Sequence, residues 1–161
     1  MNHVSNSTPL IHLARIGRLD LLRLVFGEVL VPAAVLAEVR PRGGVTVEEA
    51  LRAAWLIEAA PADLRRTDGL EQRLGGRGEA ETIALAIERS PAVALIDERA
   101  AREVCRELGI AVRGTLGVLL AAKTLGHIVS VRPILDKLRA TGFWLDDGTL
   151  QAVLEIAEES E

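Results

Sequence analysis

Two polar residues follow short apolar stretches that read as strands: Asn6 after His3–Ser5, and Asp97 after Ala92–Ile96. In an open parallel sheet the functional crevice lies beyond the carboxyl ends of the strands, so both residues belong there. Two further carboxylates come from helical stretches. Glu38 lies three residues after Val35, and Glu79 lies four before Ile83 and eight before Ile87, so each shares its helix's apolar side. Glu81 instead lines up with Leu85 and Glu88 and reads as more exposed. A carboxylate on an inward face is costly without a partner, and several of them converging require a cation. Oxygen-only ligands favour Mg²⁺ or Mn²⁺ over zinc.

Each of these residues has a structural reading beside the chemical one. Asp97 suits a cap for the helix that follows, Glu38 a surface side chain, and Glu79 a complement to the positive end of its helix. Spacing alone does not choose between them. Arg99, Arg102 and Arg106 are three and four residues apart and share one side of a helix. Such a row suits phosphates, which position nucleic acid rather than read it; it equally suits pairing with Glu98 and Glu103. Other signals fail. Gly117–Thr124 lacks the second glycine of a phosphate loop and its apolar run reads as helix. The cluster Gly75-Gly76-Arg77-Gly78 follows no strand and lacks the dinucleotide spacing. His3, His12 and His127 have no close ligand spacing, and Cys105 sits mid-helix in an apolar pattern.

The elements that must position these residues alternate along the chain. The strand at His3–Ser5 is followed by Thr8-Pro9, a capping hydroxyl and a helix-opening proline. A second helix covers Leu19–Phe26, a strand covers Glu28–Val31, and Pro32 opens a helix through Arg40. Pro41–Gly44 reads as a loop, Val47–Ala54 as a helix and Trp55–Ala59 as a short strand. Asp63–Leu74 is helical with an interruption at Thr67-Asp68-Gly69, and Gly75–Gly78 is a break. A helix over Glu79–Arg89, the strand Ala92–Ile96, a helix over Glu98–Leu108 and a strand at Ile110–Val112 come next. Helices at Thr115–Leu125, Arg132–Ala140 and Gly148–Glu158 complete the chain. Strands alternating with helices predict parallel β-α-β units with helices on both faces of the sheet.

At 161 residues the chain is expected to form one domain, residues 1–161, with an acidic tail at about 156–161 that frays. Hydrophobic residues make up 49% and aromatic ones 2%, which demands an aliphatic core. The mean hydropathy of +0.24 hints at an apolar surface kept for a partner. The single cysteine excludes an internal disulfide and fits a reducing compartment. No leader-like stretch opens the sequence and no apolar run suffices to cross a bilayer, so a cytoplasmic location is expected. A net charge of −4 argues against a protein that coats nucleic acid passively, though not against an enzyme touching a few phosphates.

The stretches VSNSTPLIHLARIGRLDLL, GEVLVPAAVLAEV, GRGEAETIALAIE, ALIDERAAREVCRELGI and GTLGVLLAAKTLGHI, in that order, resemble the PIN-domain family. The nearest resemblance is to a branch related to VapC-type toxins of toxin–antitoxin pairs, and it continues through PILDKLRATGFWL. It implies a three-layer α/β/α sandwich around a central, mainly parallel sheet of four to five strands. It also implies a metal-dependent ribonuclease whose carboxylates hold Mg²⁺ or Mn²⁺ at the carboxyl edge of that sheet. The family's first acid, normally the Asp of a V-S-D-T-S-P-L-I pattern, falls on Asn6. The second falls on Glu38, the third on Glu79 with Glu81 as fallback, and the fourth on Asp97. Arg102 matches an arginine of the pattern, and Thr115 a small hydroxyl residue at a helix start. The implied partners are an RNA substrate, an antitoxin protein and a second copy in a homodimer. An amide at position 6 can coordinate a hard cation but brings no negative charge. The expectation is therefore a weakened endoribonuclease, with a catalytically inactive PIN-like RNA- or protein-binding module as the alternative.

Overall fold

Short apolar runs and amphipathic stretches fold as successive strand–helix units. The computed structural model describes residues 1–160. Its elements are β1 (Asn2–Ser5), α1 (Ser7–Arg15), α2 (Asp20–Phe26), β2 (Val29–Pro32), α3 (Ala33–Arg52), β3 (Leu56–Ala59) and α4 (Leu64–Leu74). There follow α5 (Arg77–Glu88), β4 (Ala92–Leu95), α6 (Arg99–Glu107), β5 (Ala111–Arg113), α7 (Thr115–Thr124), α8 (Arg132–Ala140) and α9 (Asp147–Ile156). The strands form one sheet in the order β3-β2-β1-β4-β5, and every neighbouring pair is parallel. This is the expected α/β architecture, with five strands.

Side-chain alternation along the strands divides the core into two layers. Val4, Ala94 and Ile96 face one way, onto Leu70, Ile83, Leu85 and Val104 of α4, α5 and α6. Val29, Val31 and Leu95 face the other way, into a cluster that includes Leu10, Leu22, Leu36, Leu119, Leu135 and Leu154. The sheet is thus covered on both faces. The largest fully buried side chains are all Leu or Ile, as the scarcity of aromatic residues requires. Each such burial is worth about 1.5–3 kcal/mol.

β1 lies at the centre of the sheet. The chain builds outward from it to β2 and β3, then returns to its other side for β4 and β5. Strand order therefore reverses between β1 and β4, and a switch point of this kind opens a crevice at the carboxyl ends. The register sets Ser5 beside Leu95. The Asn6 N–H donates to the Leu95 carbonyl at 3.0 Å, so the chain leaves both strands side by side.

Several boundaries depart from expectation. Pro41–Gly44 is a loop by composition, yet α3 runs unbroken with Pro41 inside it. A proline there removes a helical hydrogen bond and crowds the preceding turn. Val35, Leu36, Val39, Val47 and Ala50, on both sides of it, are buried in one cluster, and that burial outweighs the cost. α4 likewise continues through Thr67-Asp68-Gly69. Asp63 Oδ1 accepts from the Arg66 N–H at 3.0 Å, and Thr67 and Leu70 are buried. α5 opens at Arg77 rather than Glu79, which places Gly78 in its first turn.

In the segment expected to fray, the Glu159 carboxylate accepts from Lys123 Nζ at 2.7 Å, Ser130 Oγ at 2.7 Å, the Val131 N–H at 2.6 Å and the Arg132 N–H at 3.0 Å. Burial pushes this carboxyl up, but the four donors outweigh it and hold it at about 2. Glu161 lies outside the described residues. Among the described residues no helix is long and apolar enough to cross a membrane.

Candidate active site

Asn6 is the first residue past β1 and the N-cap of α1, with an extended backbone at φ −78° and ψ 177°. An N-cap side chain ordinarily accepts from the first helical turn, but Asn6 makes no such bond. Its Nδ2 donates instead to Glu98 Oε2 at 3.0 Å. Glu98 Oε1 accepts from the Thr8 hydroxyl, so Thr8 serves this carboxylate rather than capping the helix. A carboxylate offers only acceptors and must face the amide's NH₂ group. Asn6 Oδ1 is thereby left buried and without a hydrogen-bond partner among the described residues.

Asp97, the second residue past β4, accepts twice from one residue. The Thr115 N–H donates to Oδ1 at 2.7 Å and the Thr115 hydroxyl to Oδ2 at 2.6 Å. Asp97 thus anchors the first residue of α7 rather than capping the helix that follows it. Gly114 permits this approach, because a Cβ there would stand 2.7 Å from Asp97 Oδ1 and 2.8 Å from Arg102 Nη1. Burial pushes the Asp97 carboxyl above its ordinary value, and the Glu98 charge adds to this. The Thr115 hydrogen bonds and the Arg102 guanidinium pull the other way without cancelling it.

The helical acids divide, and Glu38, expected on the apolar side of its helix, is exposed, because α3 turns Val35, Leu36 and Val39 inward and leaves Glu38 at the rim. Glu38 Oε1 lies 2.7 Å, and Asn6 Oδ1 3.4 Å, from the point a Cβ on Gly78 would occupy. Both oxygens border the space that this glycine leaves open, so the first turn of α5 is what lets α3 and β1 present them together. The Glu79 carboxylate folds back over Gly76, the N-cap of its own helix. Glu81, which periodicity places on the wetter side, is only 13% exposed. Its Oε1 accepts from Arg77 Nε at 3.0 Å and its Oε2 from the Ala34 N–H at 3.2 Å, tying α5 to the start of α3.

The arginine row also divides. Arg99 pairs with Glu103 at 3.0 Å on a side chain 92% exposed, and Arg106 is exposed. Arg102 alone of the three turns inward, donating from Nη1 to the Ile96 carbonyl at 3.0 Å. It lines a cleft of about 770 Å³ together with Asp97, Glu98, His12, Arg113 and Trp144. The His12 ring meets Phe143 edge-on, with centroids 5.0 Å apart at 89°. Burial lowers the His12 pKa and Arg15 adds to this, against the opposing pull of Glu98.

Sequence reasoning assigned Glu98 to the arginine row and missed its place in the site. The available signal was the tandem Asp97-Glu98 directly after a strand. It also missed the cleft wall at Phe143 and Trp144, two adjacent aromatics in a chain with almost none. Among the described residues no group of three or more His, Cys, Asp or Glu side chains is gathered to hold a metal ion. The donor chemistry nevertheless fits a hard cation: Asn6 Oδ1 is a buried oxygen with no partner, and a carboxylate oxygen of Glu38 borders the same space.

A family model described as PIN domain matches residues 2–159. PIN domains are in general nucleases, and they typically work with divalent metal ions. No curated protein and no solved structure matches the chain.

Proposed function

Because the chain belongs to the PIN-domain family, we propose that it is a divalent-metal-dependent endoribonuclease, weakened by Asn6, that serves as the toxin of a toxin–antitoxin pair. The observation that carries the reading is the unpartnered Asn6 Oδ1 at the sheet's switch point, bordering the same space as Glu38, while its amide nitrogen holds Glu98. Asn6 and Glu38, which border one space, would hold Mg²⁺ or Mn²⁺, joined by Asp97 and Glu79 once these turn from Thr115 and Gly76; the ion's chemistry is activation of water for in-line attack and relief of charge on the phosphate. The chain's own residues position and orient. Thr115 fixes the Asp97 carboxylate, Asn6 and Thr8 fix that of Glu98, and Arg102 and Arg113 offer positive charge to phosphates in the cleft. Arg99 and Arg106 extend that charge along α6 for a longer strand.

The same reading supplies RNA as substrate, the cytoplasm as location, a homodimer as assembly, and an antitoxin segment over the cleft. Exposed Leu24, Leu64, Leu125, Val129 and Ile156 give protein partners apolar surface to cover.

A second reading, an inactive module that holds RNA or protein without cutting, is favoured by the Asn6–Glu98 hydrogen bond, which ties this pair together without a cation. Incubating the purified chain with single-stranded and structured RNA, in Mg²⁺, Mn²⁺ or EDTA, separates the two. The nuclease cuts only with metal, loses about a hundredfold or more in Asp97→Asn, and gains in Asn6→Asp. If neither the chain nor a folded Asn6→Asp variant cuts any RNA, the enzyme reading is abandoned for the module.

A further inference from the structure

Only four residues of this chain are aromatic, two Trp and two Phe. Two of them, Phe143 and Trp144, stand side by side on one wall of the cleft that also holds Asp97 and Glu98. Trp144 is 82% exposed. Folding gains little from an indole so placed, yet the backbone around it is held from both sides. Gly142 turns the chain at φ +97°, a conformation that favours glycine. Phe143 packs against the core and meets His12 edge-on, and Leu145 is buried. Asp146 then caps α9, accepting from the Thr149 N–H and hydroxyl, each at 2.7 Å. The result is an exposed flat ring on the cleft wall, carried directly ahead of a buried leucine and a capped helix start.

We propose that Trp144 is a stacking platform for an unpaired nucleobase of the strand in the cleft. The inference rests on the nuclease reading and adds a substrate-binding residue to it. An exposed indole offers stacking that any base can use, because every base has a π-face. A base inside a duplex is already stacked and paired, which restricts the site to single strands, loops or ends. The charges in the cleft fit the rest of a nucleotide: Arg102 and Arg113 are cations for phosphate oxygens, and the carboxylates mark where a phosphate would be worked on. An apolar peptide would fit worse, since it would desolvate two arginines and the carboxylates of Asp97, Glu98 and Asp146 without pairing them.

The test measures binding apart from cleavage. In a Trp55→Phe background Trp144 is the sole tryptophan, and its fluorescence is followed with calcium present. The probes are an oligouridylate about ten nucleotides long and a blunt duplex of the same length. The expected result is saturable quenching by the single strand and little by the duplex. Polarisation of a labelled oligouridylate should show Trp144→Ala weakening binding about tenfold and Trp144→Phe about threefold or less. Because the side chain is exposed, both variants should keep the parent's circular dichroism and melting temperature. No quenching, equal quenching by the duplex, or unchanged affinity in Trp144→Ala would each overturn the proposal. Quenching without cleavage in Mg²⁺ or Mn²⁺ would remove the nuclease reading and leave the platform standing. Cleavage with an unaltered KM in Trp144→Ala would remove the platform and leave the nuclease.

Discussion

Two carboxylate clusters in this protein are balanced in opposite ways. On α4 and α5 a single guanidinium, Arg77, gathers Asp68 at 2.8 Å, Glu71 at 2.9 Å and Glu81 at 3.0 Å. At the carboxyl edge of β1 and β4, Asp97 and Glu98 receive only neutral donors: the Asn6 amide, the hydroxyls of Thr8 and Thr115, and one backbone N–H. Among the described residues neither Asp97 nor Glu98 forms an ion pair. A cluster compensated by arginine is complete as structure. One held by neutral donors is left without a paired cation, in a cleft that Arg102 and Arg113 also line. Acidic residues alone therefore do not mark a site; the kind of donor that holds them does.

This contrast can be broken most directly at Asn6. Replacing it by Asp sets two carboxylates where Nδ2 now donates to Glu98, and like charges at that distance oppose each other. Asn6→Asp should melt several degrees below the parent in EDTA and recover with millimolar Mn²⁺, whereas Arg77→Ala should melt lower with no recovery from metal. Thermal scans with and without Mn²⁺ decide it; an Asn6→Asp variant indifferent to metal would show that the edge cluster is as structural as the other.

Glu98→Ala is the next largest change. It strips the buried Asn6 amide of its acceptor, which should cost about 1–3 kcal/mol in urea unfolding. Glu81→Ala should cost less, because Arg77 keeps Asp68, Glu71 and water. Equal losses would erase the distinction. A third variant, Gly78→Ala, puts a methyl 2.7 Å from Glu38 Oε1 and should push that carboxylate away from Asn6. Calorimetry should then find divalent affinity down roughly tenfold with the fold intact.

The smallest effect sharpens the contrast from a third place. Glu159 is held at about 2, below the 4.5 of a free carboxyl, so its ionised form is the one the fold prefers. Its contribution is fully present above 4.5 and is lost as pH falls through about 2. The melting-temperature gap between the parent and Glu159→Gln should be widest near neutrality and close steadily over that window.

Much of the fold was legible because its signals are local. The apolar runs at Val29–Val31 and Ala92–Ile96 and the alternation with helices were enough to predict a parallel sheet. Asn6 and Asp97 were legible because the end of a strand is visible in sequence and the crevice of such a sheet lies there. The helical acids were harder to read. Periodicity ranked Glu79 as inward and Glu81 as wet, whereas Glu81 is covered because α3 begins beside it and lends an N–H. The break expected at Pro41 failed for a related reason: local propensity was overruled by buried Val and Leu side chains on both sides of it.

The sequence by itself determined the class of this protein: its strand–helix order, its aliphatic core, and which polar residues end the strands β1 and β4. These follow from periodicity and turn chemistry, which act over a few residues. Only the tertiary structure decided that Glu98 answers Asn6, that Thr115 takes both oxygens of Asp97, and that Phe143 and Trp144 share their cleft. Those pairings join residues many positions apart: Asn6 meets Glu98 because β1 lies beside β4, and Asp97 meets Thr115 because β5 lies on the other side of β4. No local pattern encodes that strand order, which is set by contacts between distant segments.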